Sequence, residues 1–252
     1  MARYGSDGFL TDLRQQGSGK VMLPRSYGVG PEVVFVNTSG GVTGGDRFEW
    51  RLGTKAGHVT GTTQAAERLY RASGGRGTIL TRLEVAEGAR LDWVPMETIL
   101  FDGCAVDRRI EVELAGDATF LGAEAIVLGR AAMGERLRAA HFTDSWRIRR
   151  DGKLVQAEAL RLSGPLSGAL DGSATLGGIR AFATIILSAP GAMDRLEEMR
   201  RLAPEGVTVG SSAWNGQLVL RLHAGDHRPL KAALMEILTR LRGHALPRVW
   251  TM

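Results

Sequence analysis

The chain has 252 residues, enough to bury a substantial core either as one large β domain or as two domains of ordinary size. Its 44% apolar and 23% charged residues are typical of a folded globular protein and exclude a chain that is disordered throughout. The net charge of +5 and the pI of about 9.9 predict attraction to acidic surfaces, without choosing among nucleic acid, membrane and protein.

Cysteine content and hydropathy indicate the compartment. The single cysteine, Cys104, excludes an intrachain disulfide, and the first ten residues hold no apolar segment of signal-peptide length. No uncharged apolar stretch approaches the roughly 20 residues that cross a bilayer. We therefore predict a soluble, cytoplasmic protein that does not insert into membranes.

Short apolar runs with period-two alternation follow one another from residue 33 to residue 187. Ile110, Val112 and Leu114, for example, alternate with Glu111 and Glu113, as expected of a strand with one buried face. The predicted strands cover residues 33–36, 79–85, 89–94, 110–114, 118–121, 124–128, 146–149 and 154–162. The 34 glycines largely separate such runs, so the pattern predicts a mainly β scaffold, built as a sandwich, a barrel or a layered solenoid.

Two amphipathic helices are predicted within residues 190–245. The first covers about residues 191–202. The second begins after Asp226 as N-cap, has Pro229 in its first turn and ends at Gly243. An alternating strand, residues 217–222, lies between them. No linker separates this region from the β body, so we predict a single domain over residues 1–252.

The segment NTSGGVTGGD, residues 37–46, is rich in glycine and follows the first predicted strand. It has no Lys-Ser/Thr pair and no GxGxxG pattern leading into a helix, which argues against a nucleotide loop. We predict two tight turns in which Gly40, Gly41, Gly44 and Gly45 allow positive φ or close backbone approach and Asp46 caps the turn. The alternative is a small enzyme that holds an anion in this loop, with an acid/base pair in a pocket beside Asp46.

Three further carboxylates fall at apolar positions of predicted strands. By parity, Glu124 shares a face with Ile126 and Leu128, Glu158 with Leu154, Leu160 and Leu162, and Glu97 with Ile99 and Phe101. A buried carboxylate must be paired, bound to a cation or reached by water, so each acid pairs with an arginine or belongs to a polar interior. Together they favour a water-containing interior path whose oxygen ligands hold a divalent cation weakly.

The remaining reactive residues form no recognisable motif. The five histidines lack zinc-ligand spacing, so no tight soft-ligand site is predicted, and Cys104 is predicted to be a small packing residue. The arginines between residues 130 and 150 predict a solvated or partner-facing strip. A basic nucleic-acid adaptor is a second alternative, which would bind DNA or RNA in a salt-sensitive way. The strip has no interleaved aromatic residues for base stacking.

Five sequence blocks follow one another in order: NTSGGVTGGD (37–46), TTQAAERLYRA (62–72), LDWVPMETILFDG (91–103), LGRAAMGE (128–135) and LPRVW (246–250). Together they resemble the UreD family of urease accessory proteins, called UreH in some bacteria. The resemblance implies a mostly β fold of layered or β-helical character with two helices in its C-terminal part, and a protein that is not an enzyme. The N-terminal segment, residues 1–24, is shorter than that of a typical member and is predicted to be a truncated edge of the fold.

The resemblance also implies a function and its partners. UreD-type proteins bind UreF-type and UreG-type partners, and the assembly docks on apo-urease (UreABC) while the GTPase UreG supplies nickel. A homo-oligomer within that assembly is compatible with the resemblance; nucleic acid and membrane are not expected partners. No tightly bound cofactor is expected, only a transient nickel ion. Matched by position, the acids of the metal path are Asp46, Glu124 and Glu158, with Glu67 as a secondary candidate. Glu97, singled out by its strand parity, is the other secondary candidate.

Overall fold

The structure is a computed structural model that describes residues 1–25, 28–130, 133–168, 170–173 and 175–251. Across these residues the strands form a seven-stranded sheet, sheet A, and a ten-stranded sheet, sheet B. Numbered in chain order, sheet A contains β1 (Ala2–Tyr4), β2 (Leu10–Leu13), β5 (Arg47–Thr54), β8 (Gly77–Val85), β11 (Ala105–Leu114), β13 (Ala139–Arg150) and β14 (Lys153–Pro165). Sheet B contains β3 (Gly19–Met22), β4 (Glu32–Asn37), β6 (His58–Thr63), β7 (Glu67–Leu69), β9 (Arg90–Trp93), β10 (Thr98–Leu100), β12 (Thr119–Leu128), β15 (Ala181–Ser188), β16 (Val207–Trp214) and β17 (Gln217–Ala224).

Successive long strands of the central region alternate between the two sheets. In sheet B, β4, β6, β9 and β12 pair in parallel with one another, and in sheet A β5, β8, β11 and β13 do the same. Each turn of the chain therefore stacks on the preceding turn, as in a β-solenoid. The antiparallel strand β14 ends sheet A, while β15, β17 and β16 extend sheet B. The predicted mainly β, layered scaffold is confirmed.

The molecule has three layers, with one apolar core on each side of sheet B. The first core lies between the sheets and includes Phe35, Phe120 and Phe142. The second core lies between the other face of sheet B and the helices, and includes Leu121 and Leu234. β12 is therefore covered on both faces, which explains why its sequence, TFLGAEAIVL, is apolar almost throughout.

Sheet B divides along β12. The residues from Thr119 to Gly122 pair in parallel with β9, whereas those from Ile126 to Leu128 pair with β10, which in turn pairs with β7. Between the two pairings lies Glu124, whose described strand partner is Thr184 of β15. This division brings a polar side chain to a place where the sheet opens on one side.

The helices cover the second core. The first helical region is a 3-10 turn, Ala192–Arg195, that continues into the short helix α1 (Leu196–Arg200). The longer helix α2 (His227–Arg242) begins after Asp226, whose Oδ1 accepts a hydrogen bond from the Arg228 N–H at 2.8 Å, and ends at Gly243 with a φ of 76°. Both ends of α2 were predicted from sequence. Within the described chain, no helix combines the length and apolar character needed to cross a membrane.

Several sequence predictions need correction. Residues 118–121 and 124–128 were predicted as two strands, but they belong to the single strand β12. Gly122 lies within the strand, where its backbone pairs with both neighbouring strands and a Cβ atom would collide with the rings of Phe120 and Trp146. The first predicted helix, residues 191–202, is instead a 3-10 turn of four residues followed by α1, which has five. Residues 1–24 contain three unpredicted strands, of which β2 and β3 form one edge of each sheet. Within the block at residues 128–135, Ala131 and Ala132 lie outside the described residues.

Candidate functional site

The glycine-rich segment, residues 37–46, connects β4 to β5 through two turns. Gly40 and Gly45 have φ angles of 80° and 88°, which glycine adopts without strain. Gly41 and Gly44 instead lie against backbone carbonyl oxygens of β7 and of the loop after it, so that a Cβ atom would collide with them. The predicted tight turns are present, and each glycine has a steric or conformational reason to be glycine.

Polar groups of this loop are bonded within the protein. Asp46 Oδ2 accepts a hydrogen bond from the Thr43 N–H at 2.8 Å, so Asp46 caps the second turn. The N–H groups of Val42 and Gly45 donate to carbonyl oxygens of neighbouring segments at 2.8 and 3.1 Å. These amides are therefore not directed at an anion, which argues against the enzyme alternative.

Glu124 is buried between the two sheets. It lies on the face of β12 that carries Ile126 and Leu128, as its parity predicts. Its Oε2 accepts a hydrogen bond from Trp146 Nε1 of β13 at 2.8 Å, and its Oε1 is in direct contact with Nη2 of Arg108 of β11. Glu124 is thus an arginine-paired carboxylate inside the protein.

Arg108 is the centre of this buried network, and only 9% of its side chain is exposed. Besides Glu124, its Nε donates to Oδ1 of Asp144 at 2.9 Å, and its Nη1 donates to Oγ1 of Thr98 at 2.8 Å. The guanidinium carbon lies 5.3 Å from the ring centre of Phe142. One guanidinium therefore pairs with two carboxylates from two sheets and binds a hydroxyl of the short strand β10.

Glu67 lies beside this network, because β7 pairs with β10 and aligns Glu67 with Thr98. Its Oε1 accepts a hydrogen bond from Asn37 Nδ2 at 3.1 Å. Burial raises the pKa of Glu67 above its usual range, and the Asn37 hydrogen bond and the charge of Arg108 only partly oppose this effect. A cavity of about 160 Å³ opens at this end and is lined by Asn37, Trp50 and Glu67, among others.

Glu158 lies at the other end, where β14 approaches β17. It is the cross-strand neighbour of Trp146, and both of its carboxylate oxygens lie 2.6 Å from Nη2 of Arg221. Its Oε1 also accepts from Gln156 Nε2 at 2.5 Å. With 21% of its side chain exposed, Glu158 borders a shallow depression of about 360 Å³ that includes Trp214.

The predicted face of Glu158 was partly wrong. Leu160 and Leu162 accompany it against the first core, but Leu154 is exposed and lies opposite Arg149. The register of β13 and β14 shifts between Ile148 and Arg149, so one extra residue of β14 reverses the side-chain parity beyond that point.

Glu97 lies apart from the other acids. It precedes β10 and has the parity of Ile99, which packs in the second core, and its Oε2 is 3.5 Å from Nε2 of His227 on α2. Burial alone would raise the pKa of Glu97, but the hydrogen bond and charge of His227 outweigh burial and lower it. Glu97 therefore faces the helices, on the opposite side of sheet B from Glu124.

We refer to the polar groups between the sheets as the intersheet row. It consists of Glu67, Thr98, Arg108, Glu124, Asp144, Trp146 and Glu158. Of the five predicted acids, Glu124 is bonded to Arg108, and Glu67 and Glu158 lie beside that network as strand neighbours of Thr98 and Trp146. Asp46 and Glu97 have other environments. Arg108 and Asp144 were not predicted, although each alternates with inward-facing apolar residues of its strand, a signal that sequence parity contains.

The chain is similar to known proteins along almost its whole length. A family model described as "UreD urease accessory protein" matches residues 1–251. The chain belongs to the UreD family. A protein of Dinoroseobacter shibae named "Urease accessory protein UreD" is 54% identical over 245 residues, covering 96% of this chain and 86% of its own length. Proteins of the same name from a Jannaschia species and from Rhizobium leguminosarum bv. viciae are 48% and 44% identical, again over 96% of this chain and over 90% and 89% of their own lengths.

Two of the sequence blocks that carry the UreD resemblance each contribute one residue to the intersheet row. The block at residues 62–72 contains β7 with Glu67, and the block at residues 91–103 contains β10 with Thr98. The relatives are named as accessory proteins and not as enzymes, in agreement with the prediction that this UreD-family chain is not an enzyme.

The predicted basic strip is largely bonded within the molecule. Arg130 pairs with Glu135 at 2.9 Å, Arg138 Nη2 lies 3.0 Å from Asp102, and Arg150 donates to backbone carbonyls. These contacts leave less unpaired positive charge for an acidic partner than the sequence alone indicates.

Proposed function

We propose that this UreD-family chain is an accessory component of urease maturation, that it works with UreF-type and UreG-type partners on apo-urease, and that nickel passes along the intersheet row. Membership of the UreD family is the observation that supports the accessory role. The single cysteine, which excludes an intrachain disulfide, supports action in the cytoplasm.

The charge of the intersheet row supports passage of a cation. It holds the buried carboxylates of Glu124 and Asp144 in contact with the guanidinium of Arg108, and the carboxylate of Glu67 lies beside them. When all of these groups are ionised, carboxylates outnumber cations, so a divalent ion gains electrostatic stabilisation there. The cavities beside Glu67 and Glu158 provide entry and exit at the two ends.

The pairing of Arg108 defines what must move. A divalent ion can reach the oxygens of Glu124 or Asp144 only when the guanidinium swings away from them, because Arg108 contacts both. Carboxylate oxygens release a bound divalent transition-metal ion more readily than thiolates do. The row is therefore suited to transfer and not to storage. Arg108 then acts as an internal competitor that returns to the acids once the ion has left.

The accessory role is tested by activating purified apo-urease with UreF, UreG, GTP, bicarbonate and Ni²⁺, with and without this chain. We expect urease activity to depend on the chain. Equal activation in its absence would refute the proposal.

The path is tested in the same assay with Glu124→Gln and Glu158→Gln, which keep side-chain shape and remove one negative charge each. Asp46→Ala is included because its position matches the family path, although the carboxylate caps a turn here. Glu84→Gln is the matched control, since Glu84 is exposed on the outer face of sheet A and its one ion pair among the described residues is with the exposed Arg3. We expect reduced activation for Glu124→Gln and Glu158→Gln and wild-type activation for Glu84→Gln. Co-purification of UreF and UreG should be unchanged in all of these variants. Normal activation by both path variants would remove the path while leaving the accessory role intact.

A further inference from the structure

A second buried polar cluster lies on the opposite face of sheet B. In β6 and β9 the apolar side chains of Val59 and Leu91 point into the first core, so the alternate residues point towards α2. There the C-terminal end of α2 and the loop after it cover them. We name this group the outer cluster; it consists of His58, Thr60, Arg90, Asp92, Arg242 and His244.

Asp92 is the fully buried centre of the outer cluster, with 0% of its side chain exposed. Its Oδ2 accepts from Arg242 Nε at 2.8 Å and lies 2.9 Å from His58 Nε2, while its Oδ1 accepts from Arg90 Nε at 2.9 Å. Arg242 also donates to Thr60 Oγ1 at 2.9 Å. These contacts fix the carboxylate in one orientation beneath the end of α2.

His244 contributes an atom with no partner among the described residues. Its Nδ1 lies 3.2 Å from the carbonyl oxygen of Ala245, and because a carbonyl only accepts, the proton resides on Nδ1. Nε2 is therefore an unprotonated, buried nitrogen, and it has no hydrogen-bond partner in the described structure. Burial lowers the pKa of His244, which favours this neutral form. A histidine whose other ring nitrogen donates to a backbone carbonyl is the arrangement seen in metal ligands.

We propose that His58, Asp92 and His244 bind a divalent first-row transition-metal ion. Their candidate ligand atoms lie within 4.8 Å of one another, and the imidazole rings of His58 and His244 are 5.0 Å apart, centre to centre. Two atoms that each bind one ion at about 2.1 Å are at most about 4.2 Å apart, so a shift of about 1 Å in one side chain closes the site. Two imidazoles and one carboxylate select ions such as Ni²⁺ or Zn²⁺ over Mg²⁺.

The surrounding groups set the strength of this site. Arg90 and Arg242 bond the carboxylate as outer partners and hold it in place, but their charges also reduce the attraction for a divalent ion. Bound metal would join β6, β9 and the loop after α2. Because the outer cluster and the intersheet row lie on opposite faces of sheet B, this site does not depend on the proposed nickel path.

The test is metal binding by the purified full chain, with Zn²⁺ and then Ni²⁺ each competed against a chromophoric chelator, and Mg²⁺ as the hard-ion comparison. The variants are His58→Ala and His244→Ala. His141→Ala is the matched control, because His141 pairs with Asp107 at 3.3 Å, yet among the described residues this pair belongs to no three-ligand group. Glu124→Gln reports separately on the intersheet row.

We expect one equivalent of Zn²⁺ or Ni²⁺ to bind, with affinity reduced at least about tenfold in both ligand variants, since loss of even an outer partner costs 10–100-fold. The His141→Ala and Glu124→Gln proteins should retain this equivalent. His244 Nε2 has no hydrogen-bond partner among the described residues, so without metal the His244→Ala protein should melt at the same temperature as wild type. This measurement shows that the variant is folded. No binding by wild type, or equal affinity in His244→Ala, overturns the site without touching the proposed nickel path.

Discussion

Sheet B carries a buried polar cluster on each face, and the two have opposite charge balance. In the intersheet row, two buried carboxylates contact the guanidinium of Arg108, and a third, that of Glu67, lies beside them. In the outer cluster, one carboxylate, that of Asp92, is surrounded by two guanidiniums and an imidazole. The same sheet thus has an acid-rich face and a base-rich face a single strand's thickness apart.

This difference determines how each cluster responds to protons and metals. An excess of buried carboxylates attracts cations, and the ligands it offers are oxygen atoms. An excess of bases keeps the central carboxylate ionised, and two imidazoles of the outer cluster offer nitrogen ligands. We therefore expect substitutions at the two centres to have distinct consequences.

The largest effect should come from Arg108→Met. Removal of the guanidinium leaves Glu124 and Asp144 buried without a counter-charge, and breaking such a pair costs about 3–5 kcal/mol of the free energy of unfolding. Urea unfolding monitored by circular dichroism measures the loss. The control is Arg109→Met, the next residue on β11, which faces outward with 64% of its side chain exposed and should change stability by under about 1 kcal/mol. Similar losses for the two variants would mean that Arg108 does not hold the intersheet row together.

Asp92→Asn should lower stability at neutral pH and change its dependence on acid, because the outer cluster holds its carboxylate ionised. Burial by itself would raise the pKa of Asp92, but the hydrogen bond from His58 and the charges of Arg90 and Arg242 lower it from 3.8 to about 2. A depressed folded-state pKa contributes stability above about pH 4 that is lost as the pH falls towards 2, here about 2 kcal/mol. Asp92→Asn should therefore lose about 2 kcal/mol at pH 7 and show a shallower fall in stability between pH 4 and 2. The exposed Asp12→Asn is the control, and an unchanged acid limb in Asp92→Asn would contradict the assignment.

Glu67→Gln should instead stabilise the protein at neutral pH. Burial raises the pKa of Glu67 above 4.5, so its contribution to stability is present below that pH and is lost as the pH rises through the folded-state pKa. Glutamine keeps the oxygen that accepts from Asn37 and removes the buried charge. Unfolding free energies at pH 7 and pH 4 should show a gain at pH 7 that disappears at pH 4, with exposed Glu84→Gln unchanged at both. Destabilisation at pH 7 would show that the carboxylate of Glu67 is needed by the fold.

The sequence predicts strands and faces better than it predicts which layer a face meets. The alternation around Glu124 correctly predicts that it points inward with Ile126 and Leu128. The same reasoning fails to separate Glu97 from it, because sheet B is covered by apolar residues on both faces and parity does not say which face meets which layer. The meeting of His58 with His244 depends on how the end of α2 docks on β6, and no local spacing encodes such long-range register.

The smallest effect should come from Arg221→Ala, at the open end of the intersheet row. Arg221 pairs with Glu158 as closely as Arg108 pairs with Asp144, but 56% of its side chain is exposed, so water replaces the lost partner. Exposed ion pairs contribute about 0–1 kcal/mol, and a double-mutant cycle with Glu158→Gln should return a coupling energy in that range. A coupling as large as the loss in Arg108→Met would mean that water does not reach Glu158. The proposed path would then be closed at this end, because an ion could leave only through a dry ion pair.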